Sequence, residues 1–412
     1  MKKSILFSLI LFLSLSFVAC DNDDDNPQPQ TIATAEDLSA SLNEILATSN
    51  AHGFAVSVIE DNELIYQEAF GKANAEANKA YSNQTTQPIG SISKTFVAAA
   101  LVKAIEQGYF TLETDINDLL PVAVVNPKQP NATIQVKHLV THTSGLLDNY
   151  EVYFESYRIL PGEDLSSPGA QLLQDLLDFE QRAPIPLEEL MAAYYLEDGD
   201  GYDLDNFAAT APGSTWSYSN LATTLTGFLI ESATGVPFKD YVQSHILDPL
   251  NMDQTSYLAQ GLTPSRNATL YWDKTTPLPL YSTDSYPDSE INTSNEDLAK
   301  YLMDMMKGAK GQSTTLFSKA GYELLFEPQT ANGIVPSVLA EHHGIFWFLD
   351  GDQIRHDGAD PGTTCDLRFD KSGQSGYLLL TNMDASTDEH QQDWDQLFPK
   401  IQQAITTFLQ NN

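Results

Sequence analysis

The sequence predicts an α+β fold with three layers (α/β/α), in which helices flank an antiparallel sheet built from both ends of the chain. Near the N-terminus, residues 54–59 and 64–70 are apolar segments separated by the polar pair Asp61-Asn62, a pattern typical of a β-hairpin. Between about residues 110 and 280 the pattern is mostly helical, with long loops. Strands at both ends with helices between them indicate one sheet with a helical insertion. The C-terminal strand-like segments are 345–349, 353–356, 364–369 and 377–381.

Three helices are predicted around this sheet. An amphipathic stretch covers residues 35–47. A second helix runs from Ser93 to Gln107 and ends at Gly108, the residue type that helix C-termini favour. The last helix is amphipathic and carries its apolar residues in register at Leu397, Ile401, Ile405 and Phe408.

The composition divides the chain into three segments. In residues 1–19, Lys2 and Lys3 are followed by an apolar run. Together with the next residue, Cys20, this pattern resembles a bacterial lipoprotein signal peptide. An ordinary secretory signal peptide is the alternative. Residues 20–34 are acidic and lack periodicity, so we expect a flexible tether. Residues 35–412 are assigned to one domain, with a sheet subdomain at about 50–90 and 285–412 and a helical subdomain at about 91–284.

The lipoprotein signal implies a protein of the bacterial cell envelope, anchored by lipid on Cys20 to the outer membrane and facing the periplasm or the cell surface. Lipidation would leave Cys365 as the remaining thiol, so no intramolecular disulfide is expected. The formal net charge of −35 disfavours nucleic acids and anionic lipid surfaces as partners. We expect a monomer.

Ser91 and Lys94 form the first candidate site. They lie three residues apart at the start of the helix predicted from Ser93, so the Lys94 amine can reach the Ser91 hydroxyl. A serine hydroxyl is a weak nucleophile, and a partly desolvated lysine can take its proton. The free N–H groups of a helix N-terminus favour negative charge that develops on oxygen. This chemistry is that of serine acyl transfer.

Two further motifs follow in the chain. Tyr218-Ser219-Asn220 precedes an apolar helix, and His356-Asp357-Gly358 lies between two predicted strands. With Ser91 and Lys94, these motifs resemble the serine β-lactamase and penicillin-recognising family, in particular its class C β-lactamase, D-alanyl-D-alanine carboxypeptidase and esterase branch. That family carries S-x-x-K, Y-x-N and K/H-x-G in this order. The resemblance covers residues from about 40 to 410, and the segment 142–146 also matches a sequence recurrent in the branch.

The resemblance implies a role for each matched residue. Ser91 would be the nucleophile, and either Lys94 or Tyr218 would be the general base, Tyr218 if Lys94 lowers its pKa. The backbone N–H groups of Ser91 and Ala359 would form the oxyanion hole. Asn220 would bind a substrate amide or hold Lys94. Gly358 would leave room for the substrate to lie along the strand.

His356 occupies the position where β-lactamases and many peptidases of the family place lysine. A histidine is mostly neutral near pH 7, so it attracts a substrate carboxylate less than an ammonium does. Arg355 should point to the opposite face of the sheet. This departure favours esterase, amidase or D-peptidase activity over efficient β-lactam hydrolysis. The alternative is that His356 only hydrogen-bonds neighbouring backbone.

Other candidates are weaker. Tyr81-Ser82-Asn83 repeats the Y-x-N pattern but lies before Ser91, so we expect a surface turn there. Residues 148–210 contain 15 acidic residues but only two basic ones, Arg158 and Arg182. We expect this segment to form either an acidic rim of the site or a solvated face. Residues 198–205 resemble a calcium loop but lack its spacing. We expect no metal and no cofactor.

The sequence therefore predicts an envelope-anchored serine hydrolase that forms an acyl-enzyme on Ser91 and cleaves an ester or an amide or D-peptide bond in a small molecule or cell-wall peptide. A class C-like β-lactamase is the close alternative. An alternative of another class is a non-catalytic penicillin-binding sensor of cell-wall peptides. The intact Ser91, Lys94 and Tyr218 argue for turnover.

Overall fold

The computed structural model describes residues 32–257 and 263–412. The expected signal peptide, Cys20 and most of the tether lie outside the described residues. The strands are β1 (Gly53–Glu60), β2 (Glu63–Asn74), β3 (Lys79–Ala80), β4 (Thr86–Pro88), β5 (Tyr157–Ile159), β6 (Glu180–Gln181), β7 (Tyr271–Asp273), β8 (Thr276–Pro277), β9 (Tyr281–Thr283), β10 (Asn292–Ser294), β11 (His342–His343), β12 (Phe348–Asp350), β13 (Gln353–Asp360), β14 (Thr363–Asp370) and β15 (Ser375–Thr381). The α-helices are α1 (Ala35–Ala47), α2 (Ser93–Glu106), α3 (Val136–Val140), α4 (Tyr150–Glu155), α5 (Pro168–Leu177), α6 (Leu187–Tyr195), α7 (Asn220–Thr234), α8 (Phe238–Val242), α9 (Tyr286–Ser289), α10 (Asn295–Ala309), α11 (Lys319–Phe326) and α12 (Asp388–Asn411).

The main sheet is antiparallel and joins both ends of the described chain. Its strand order is β11-β12-β13-β14-β15-β1-β2-β3. The N-terminal strand β1 lies inside the sheet, between β2 and the late strand β15, with which it pairs so that Phe54 is opposite Thr381. The predicted α+β fold is confirmed, because strands from opposite ends of the sequence share one sheet.

Helices cover both faces of this sheet. On one face, α1 and α12 pack on residues such as Val56 and Leu379. On the other face, α2 and α10 bury the alternate residues Leu378 and Leu380. This alternation follows from the two-residue period of a strand, which sends successive side chains to opposite faces. The three layers place α2, and the Ser91 that precedes it, against the sheet.

The predicted helices α1, α2 and α12 are present, with α1 matching residues 35–47 and α2 ending one residue before Gln107. Helix α2 is buried from Ser93 to Val102, which makes it a core helix rather than a surface one. Gly108 follows it with φ +83°, the left-handed conformation that glycine adopts without strain. No helix in the described parts of the chain is both long enough and apolar enough to cross a bilayer.

Two predicted elements differ from the structure. The strand expected at 345–349 is observed at Phe348–Asp350, because Phe346 has φ +55° and the Gly344 N–H donates to Trp347 O in a turn. The buried apolar run was therefore wrongly predicted to begin as a strand. The region 110–280 contains the expected helices but also short strands, of which β5, lying between β6 and β9, forms a small separate sheet.

Candidate active site

Ser91 lies in a 3₁₀ turn, Gly90–Ile92, between β4 and α2. Its side chain is partly exposed, whereas Ile92 and Lys94 are fully buried. Gly90 has φ +51°, and a Cβ at this position would lie 2.6 Å from the Ala359 backbone nitrogen. A glycine is required here, since it brings the turn that carries Ser91 against β13.

Lys94 reaches Ser91 as the three-residue spacing predicts. Its Nζ lies 3.1 Å from Ser91 Oγ, 3.1 Å from the Asp288 carbonyl oxygen and 3.5 Å from Asp288 Oδ2. Burial lowers the pKa of Lys94 from its ordinary value, and the carboxylates of Asp288, Asp148 and Asp360 oppose this shift. An amine with a lowered pKa is closer to the neutral form that can accept the serine proton.

Tyr218 faces the same pair of residues. Lys94 Nζ lies 5.0 Å from the centre of its ring, and its hydroxyl is hydrogen-bonded to Ser91. Burial raises the pKa of Tyr218 well above 10, with further increases from Asp357 and Asp288. The condition under which Tyr218 would be the base, a lowered pKa, is therefore not met. A neutral phenol at this position is suited to donate a proton or hydrogen bond.

Asp148 orders the N-terminus of α7, which follows Tyr218. Its carboxylate accepts hydrogen bonds from Ser219 Oγ at 2.8 Å, Asn220 N at 2.8 Å and Leu221 N at 3.1 Å. Free N–H groups at a helix N-terminus attract such an acceptor. From its sequence context, Asp148 is predicted only as part of the acidic segment 148–210, so this contact was missed. Asn220, implied as a substrate ligand, is 8% exposed at the start of α7.

The segment His142–Leu146 supports Tyr218 from the other side. The His142 carbonyl accepts from Ser217 N at 2.8 Å, and His142 Nδ1 accepts from Ser219 N at 3.2 Å. The His142 ring lies 4.5 Å from the Tyr218 ring. These contacts explain why this segment accompanies the tyrosine motif, because they fix the backbone on both sides of Tyr218.

The free edge of β13 forms the opposite wall of the site. Strand β12 pairs only with Gln353–Arg355, so the rest of β13 is open on that side and faces the Ser91 turn. A Cβ on Gly358 would lie 2.0 Å from Ile89 O and 3.0 Å from Ser91 N. The structure thus brings the backbones of Ser91 and Ala359 together, as an oxyanion hole requires.

His356 lies beneath this edge rather than on it. Its side chain is 1% exposed, and Nδ1 lies 2.6 Å from the Asp357 carbonyl oxygen. Burial lowers the pKa of His356 well below 6.5, so the ring is neutral near pH 7. The bond from Nδ1 to neighbouring backbone is the one that the alternative describes, whereas Nε2 has no partner among the described residues, so a contact of His356 with substrate stays a prediction.

Two acidic residues near the site were missed by sequence reasoning. Asp288 is buried and accepts from Tyr153 Oη at 2.7 Å and Thr224 Oγ1 at 3.3 Å, besides its contacts to Lys94. Asp357 is partly exposed on β13 and bonds to Arg355 at 3.2 Å. No sequence pattern around Asp288 indicates a role in the site, whereas Asp357 is the middle residue of the motif His356-Asp357-Gly358.

The prediction that Tyr81, in the competing tyrosine motif, is a surface turn residue is wrong. Tyr81 is 4% exposed, donates a hydrogen bond to Gln87 and packs in a small cluster with Ala55 and Ala73. Its environment is that of a core residue. Among the described residues, no group of three or more His, Cys, Asp or Glu side chains is arranged to hold a metal ion.

Known protein structures share this fold. A penicillin-binding protein homologue from Pyrococcus abyssi, described as octameric, superposes with a TM-score of 0.67 at 22% identity, covering 88% of this chain and 76% of the other. A class C beta-lactamase superposes with a TM-score of 0.62 at 16% identity, covering 89% and 96%. These likenesses show the fold.

Sequence comparison gives the family. Esterase EstB of Burkholderia gladioli is 27% identical over 57% of this chain and 54% of the esterase, so the match spans about half of that relative. Penicillin-binding protein 4* of Bacillus subtilis (strain 168) is 22% identical over 85% of this chain and 72% of its own length. The family model described as Beta-lactamase matches residues 38–400. The chain therefore belongs to the beta-lactamase family.

Proposed function

We propose that this protein is a serine hydrolase that forms an acyl-enzyme on Ser91 and cleaves an ester or an amide or D-peptide bond, in the manner of a carboxypeptidase or esterase. One observation carries the proposal: the buried Lys94 Nζ lies 3.1 Å from the partly exposed Ser91 Oγ. A lysine held without solvent beside an accessible hydroxyl is an arrangement that activates a nucleophile. The esterase relative supports the same reaction class.

The first step follows from the geometry. Neutral Lys94 accepts the proton as Ser91 Oγ attacks the substrate carbonyl carbon, and the carbonyl π electrons move to oxygen. The backbone N–H groups of Ser91 and Ala359 stabilise that oxyanion. As the tetrahedral intermediate collapses, the bond to the leaving group breaks, and the neutral Tyr218 hydroxyl relays the Lys94 proton to the leaving atom. Water then attacks the acyl-enzyme carbonyl and loses its proton to Lys94. The second tetrahedral intermediate collapses with cleavage of the bond to Ser91 Oγ, which takes the proton back from Lys94 as the acid product leaves.

A β-lactamase is the second candidate, supported by the superposition on a class C beta-lactamase. The neutral, buried His356 weighs against it, since no ammonium stands at this position to attract the carboxylate of a β-lactam. A non-catalytic sensor would use Ser91 without turnover. Covalent labelling of Ser91 without release of a product would indicate such a sensor.

A substrate panel separates these functions. Wild type and Ser91→Ala are assayed with p-nitrophenyl esters, D-alanyl dipeptides and a chromogenic cephalosporin. The control is Ser265→Ala, which changes an exposed serine in the 3₁₀ turn Pro264–Arg266. We expect ester or D-peptide hydrolysis that Ser91→Ala abolishes and Ser265→Ala retains. Cephalosporin hydrolysis at about 10⁴ M⁻¹s⁻¹ or more would favour the β-lactamase instead. Activity that survives in Ser91→Ala would overturn the proposal.

We also propose that lipid on Cys20 anchors the protein in the bacterial outer membrane. The support is the arrangement of Lys2, Lys3, the apolar run and Cys20 in the sequence. Cys20→Ser should release the protein from the membrane fraction, whereas Cys365→Ser should leave it there. A membrane-bound Cys20→Ser protein would contradict the anchor.

A further inference from the structure

Asp360 is a buried acid at the end of β13, on the same face of the strand as Gly358. Residues two apart on a strand point to the same side. Gly358 comes so close to the Ser91 turn that a Cβ there would lie 3.0 Å from Ser91 N. The side of β13 that meets this turn therefore also carries Asp360, which is 8% exposed. No step of the acylation at Ser91 uses this carboxyl group.

A row of buried oxygen atoms connects Asp360 with the counterion of Lys94. Tyr157 Oη lies 2.7 Å from Asp360 Oδ1 and 3.1 Å from Tyr153 Oη. Tyr153 Oη lies in turn 2.7 Å from Asp288 Oδ2, which is 3.5 Å from Lys94 Nζ. Both tyrosines and Asp288 are buried. We call these four side chains, Asp288, Tyr153, Tyr157 and Asp360, the tyrosine row.

The tyrosine row has three oxygen–oxygen contacts but only two phenol protons. A phenol has one proton to donate, and an ionised carboxyl group has none. Without a third proton, one contact would place two lone pairs against each other in a buried setting, which costs free energy. Ser289 Oγ, 3.4 Å from Tyr157 Oη, lies outside the three contacts and does not supply it. A complete row therefore holds a third proton, on Asp288 or on Asp360.

The position of this proton decides which carboxyl group carries the negative charge. With the proton on Asp360, each hydroxyl donates toward Asp288, whose carboxylate faces Lys94. With the proton on Asp288, each hydroxyl donates toward Asp360, and the charge lies at the far end of the row. One proton moving across each contact converts one arrangement into the other, and no proton enters or leaves the row. Burial raises the pKa of Asp288 and that of Asp360, so both groups hold a proton more readily than an ordinary aspartate.

Other titratable groups surround both ends of the row. Those around Asp360, besides the row itself, are Lys94, Glu290, Asp384 and Tyr281. Those around Lys94, besides the row, are Asp148, Tyr218, His142 and His356. All of them remain in place when a member of the row is replaced, so a changed titration of Lys94 reports the row.

We propose that the tyrosine row is a proton relay that moves negative charge toward Asp288 when Lys94 is protonated and toward Asp360 when Lys94 is neutral. This inference rests on the proposed serine hydrolase function, since it concerns the base that activates Ser91. The relay stabilises both charge states of Lys94, whereas a charge fixed at Asp288 would favour the protonated amine alone. The members of the row are positioning residues, because they act on Ser91 only through Lys94.

The rate at which a fluorophosphonate labels Ser91 tests the relay without substrate turnover. This rate requires neutral Lys94, so it rises with pH in a limb whose midpoint is the Lys94 pKa. It is measured for wild type, Asp360→Asn, Tyr157→Phe and the double variant. The matched control is Tyr281→Phe, which removes a phenol that donates to a backbone carbonyl at 2.8 Å, outside the row, and whose ring lies 6.1 Å from that of Tyr157.

We expect the limb to move to higher pH by about half a unit or more in Asp360→Asn. Asparagine donates to Tyr157 and keeps every hydroxyl donating toward Asp288, so the negative charge stays beside Lys94. Loss of a carboxylate by itself would have the opposite sign, because less negative charge lowers the Lys94 pKa. Tyr157→Phe interrupts the row and should shift the limb in the same direction as Asp360→Asn, and the double variant should shift it no further. Tyr281→Phe should keep the wild-type limb.

The contrary results separate the relay from the nucleophile. A limb that stays in place or moves to lower pH in Asp360→Asn and Tyr157→Phe overturns the relay, while continued labelling shows that Ser91 is intact. Additive shifts in the double variant, or an equal shift in Tyr281→Phe, overturn it as well. If Asp360→Asn does not fold, Tyr157→Phe decides alone. A wild type that is not labelled at all contradicts the serine hydrolase and, with it, this inference.

Discussion

At the scale of single residues, the pair formed by Lys94 and Asp288 determines how Ser91 is activated. Both side chains have no exposed surface, and Nζ lies 3.5 Å from the carboxylate. Burial lowers the pKa of Lys94 and raises that of Asp288. Lysine deprotonates more easily in this setting than the neutral Tyr218, so the structure favours Lys94 as the base.

Replacing Asp288 by asparagine removes the charge that holds the proton on Lys94. The rate requires neutral Lys94, so kcat/KM rises as pH rises through the Lys94 pKa. Asp288→Asn should lower that pKa and move the rising limb to lower pH in a kcat/KM profile. Asp304→Asn, which changes a buried carboxylate bonded by Ser313 and Tyr322, should leave the limb in place. A limb that moves to higher pH in Asp288→Asn would contradict the account.

Tyr218→Phe distinguishes the two candidate bases. The phenol relays a proton but is not the acceptor, so its loss should lower kcat/KM by about 10- to 100-fold. The midpoint of the rising limb should stay close to the wild-type midpoint, because Lys94 still titrates. Stopped-flow acylation rates against pH measure both quantities. A profile that loses its rising limb in Tyr218→Phe would identify tyrosine as the base.

At the scale of elements, the site is the meeting point of three chain segments. The turn before α2 presents Ser91, the N-terminus of α7 follows Tyr218, and the free edge of β13 supplies Ala359. Asp148 stabilises the N-terminus of α7, because its carboxylate accepts three hydrogen bonds there. The position of Tyr218 thus depends on an acid outside the recognised motifs.

Asp148→Ala should destabilise the protein and displace Tyr218. Three donors lose a partly buried acceptor, so the free energy of unfolding should fall by about 2–4 kcal/mol and kcat/KM should fall with it. Urea denaturation and ester hydrolysis measure the two effects. The control is Asp115→Ala, which removes a single cap bond of 2.9 Å to Asn117 N and should cost about 1 kcal/mol without loss of activity. Equal effects in both variants would refute the special role of Asp148.

At the scale of the whole molecule, buried acids couple stability to pH. Burial raises the pKa of Glu290 to about 8 and that of Asp360 to about 7. In the unfolded chain these groups lose their protons near pH 4. The folded state therefore binds more protons between these values, so the contribution of these two acids to stability falls as pH rises from about 4 to about 7 and 8, and is constant above. The net charge of −35 acts in the same direction by self-repulsion.

Thermal denaturation checks this coupling. The midpoint of wild type should fall between pH 6 and pH 8 and level off above pH 8, because over this range the folded state still binds the Glu290 proton that the unfolded chain has lost. Glu290→Gln should show a smaller fall, because glutamine cannot ionise, whereas Glu113→Gln at an exposed position should behave like wild type. A midpoint that rises over this range in wild type, or an equal fall in Glu290→Gln, would exclude the proposed linkage.

Much of the architecture could be predicted from sequence because its signals are local. The hairpin of β1 and β2, helix α2 and the strands β13 to β15 follow from periodicity and from turn residues. The order of the three motifs predicted that Ser91, Lys94 and Tyr218 would meet. Each of these signals is contained in a short stretch of chain.

The remaining features depend on contacts between distant positions. Asp288 meets Lys94 across 194 residues, and no pattern near either residue indicates that pairing. The turn at Phe346 uses a positive φ without glycine, so an apolar run was mistaken for the start of a strand. The burial of His356 and the exposure of Asp357 depend on how β13 packs against the Ser91 turn, which the triplet alone does not reveal.

Covalent labelling of Ser91 tests the central claim most directly. A fluorophosphonate is incubated with wild type, Ser91→Ala and Lys94→Met, and the adduct is located by peptide mass spectrometry. The account predicts one adduct, on the peptide that contains Ser91, with no labelling in Ser91→Ala and labelling slowed about 100-fold or more in Lys94→Met. An adduct on another residue, or equal labelling rates in wild type and Lys94→Met, would contradict it.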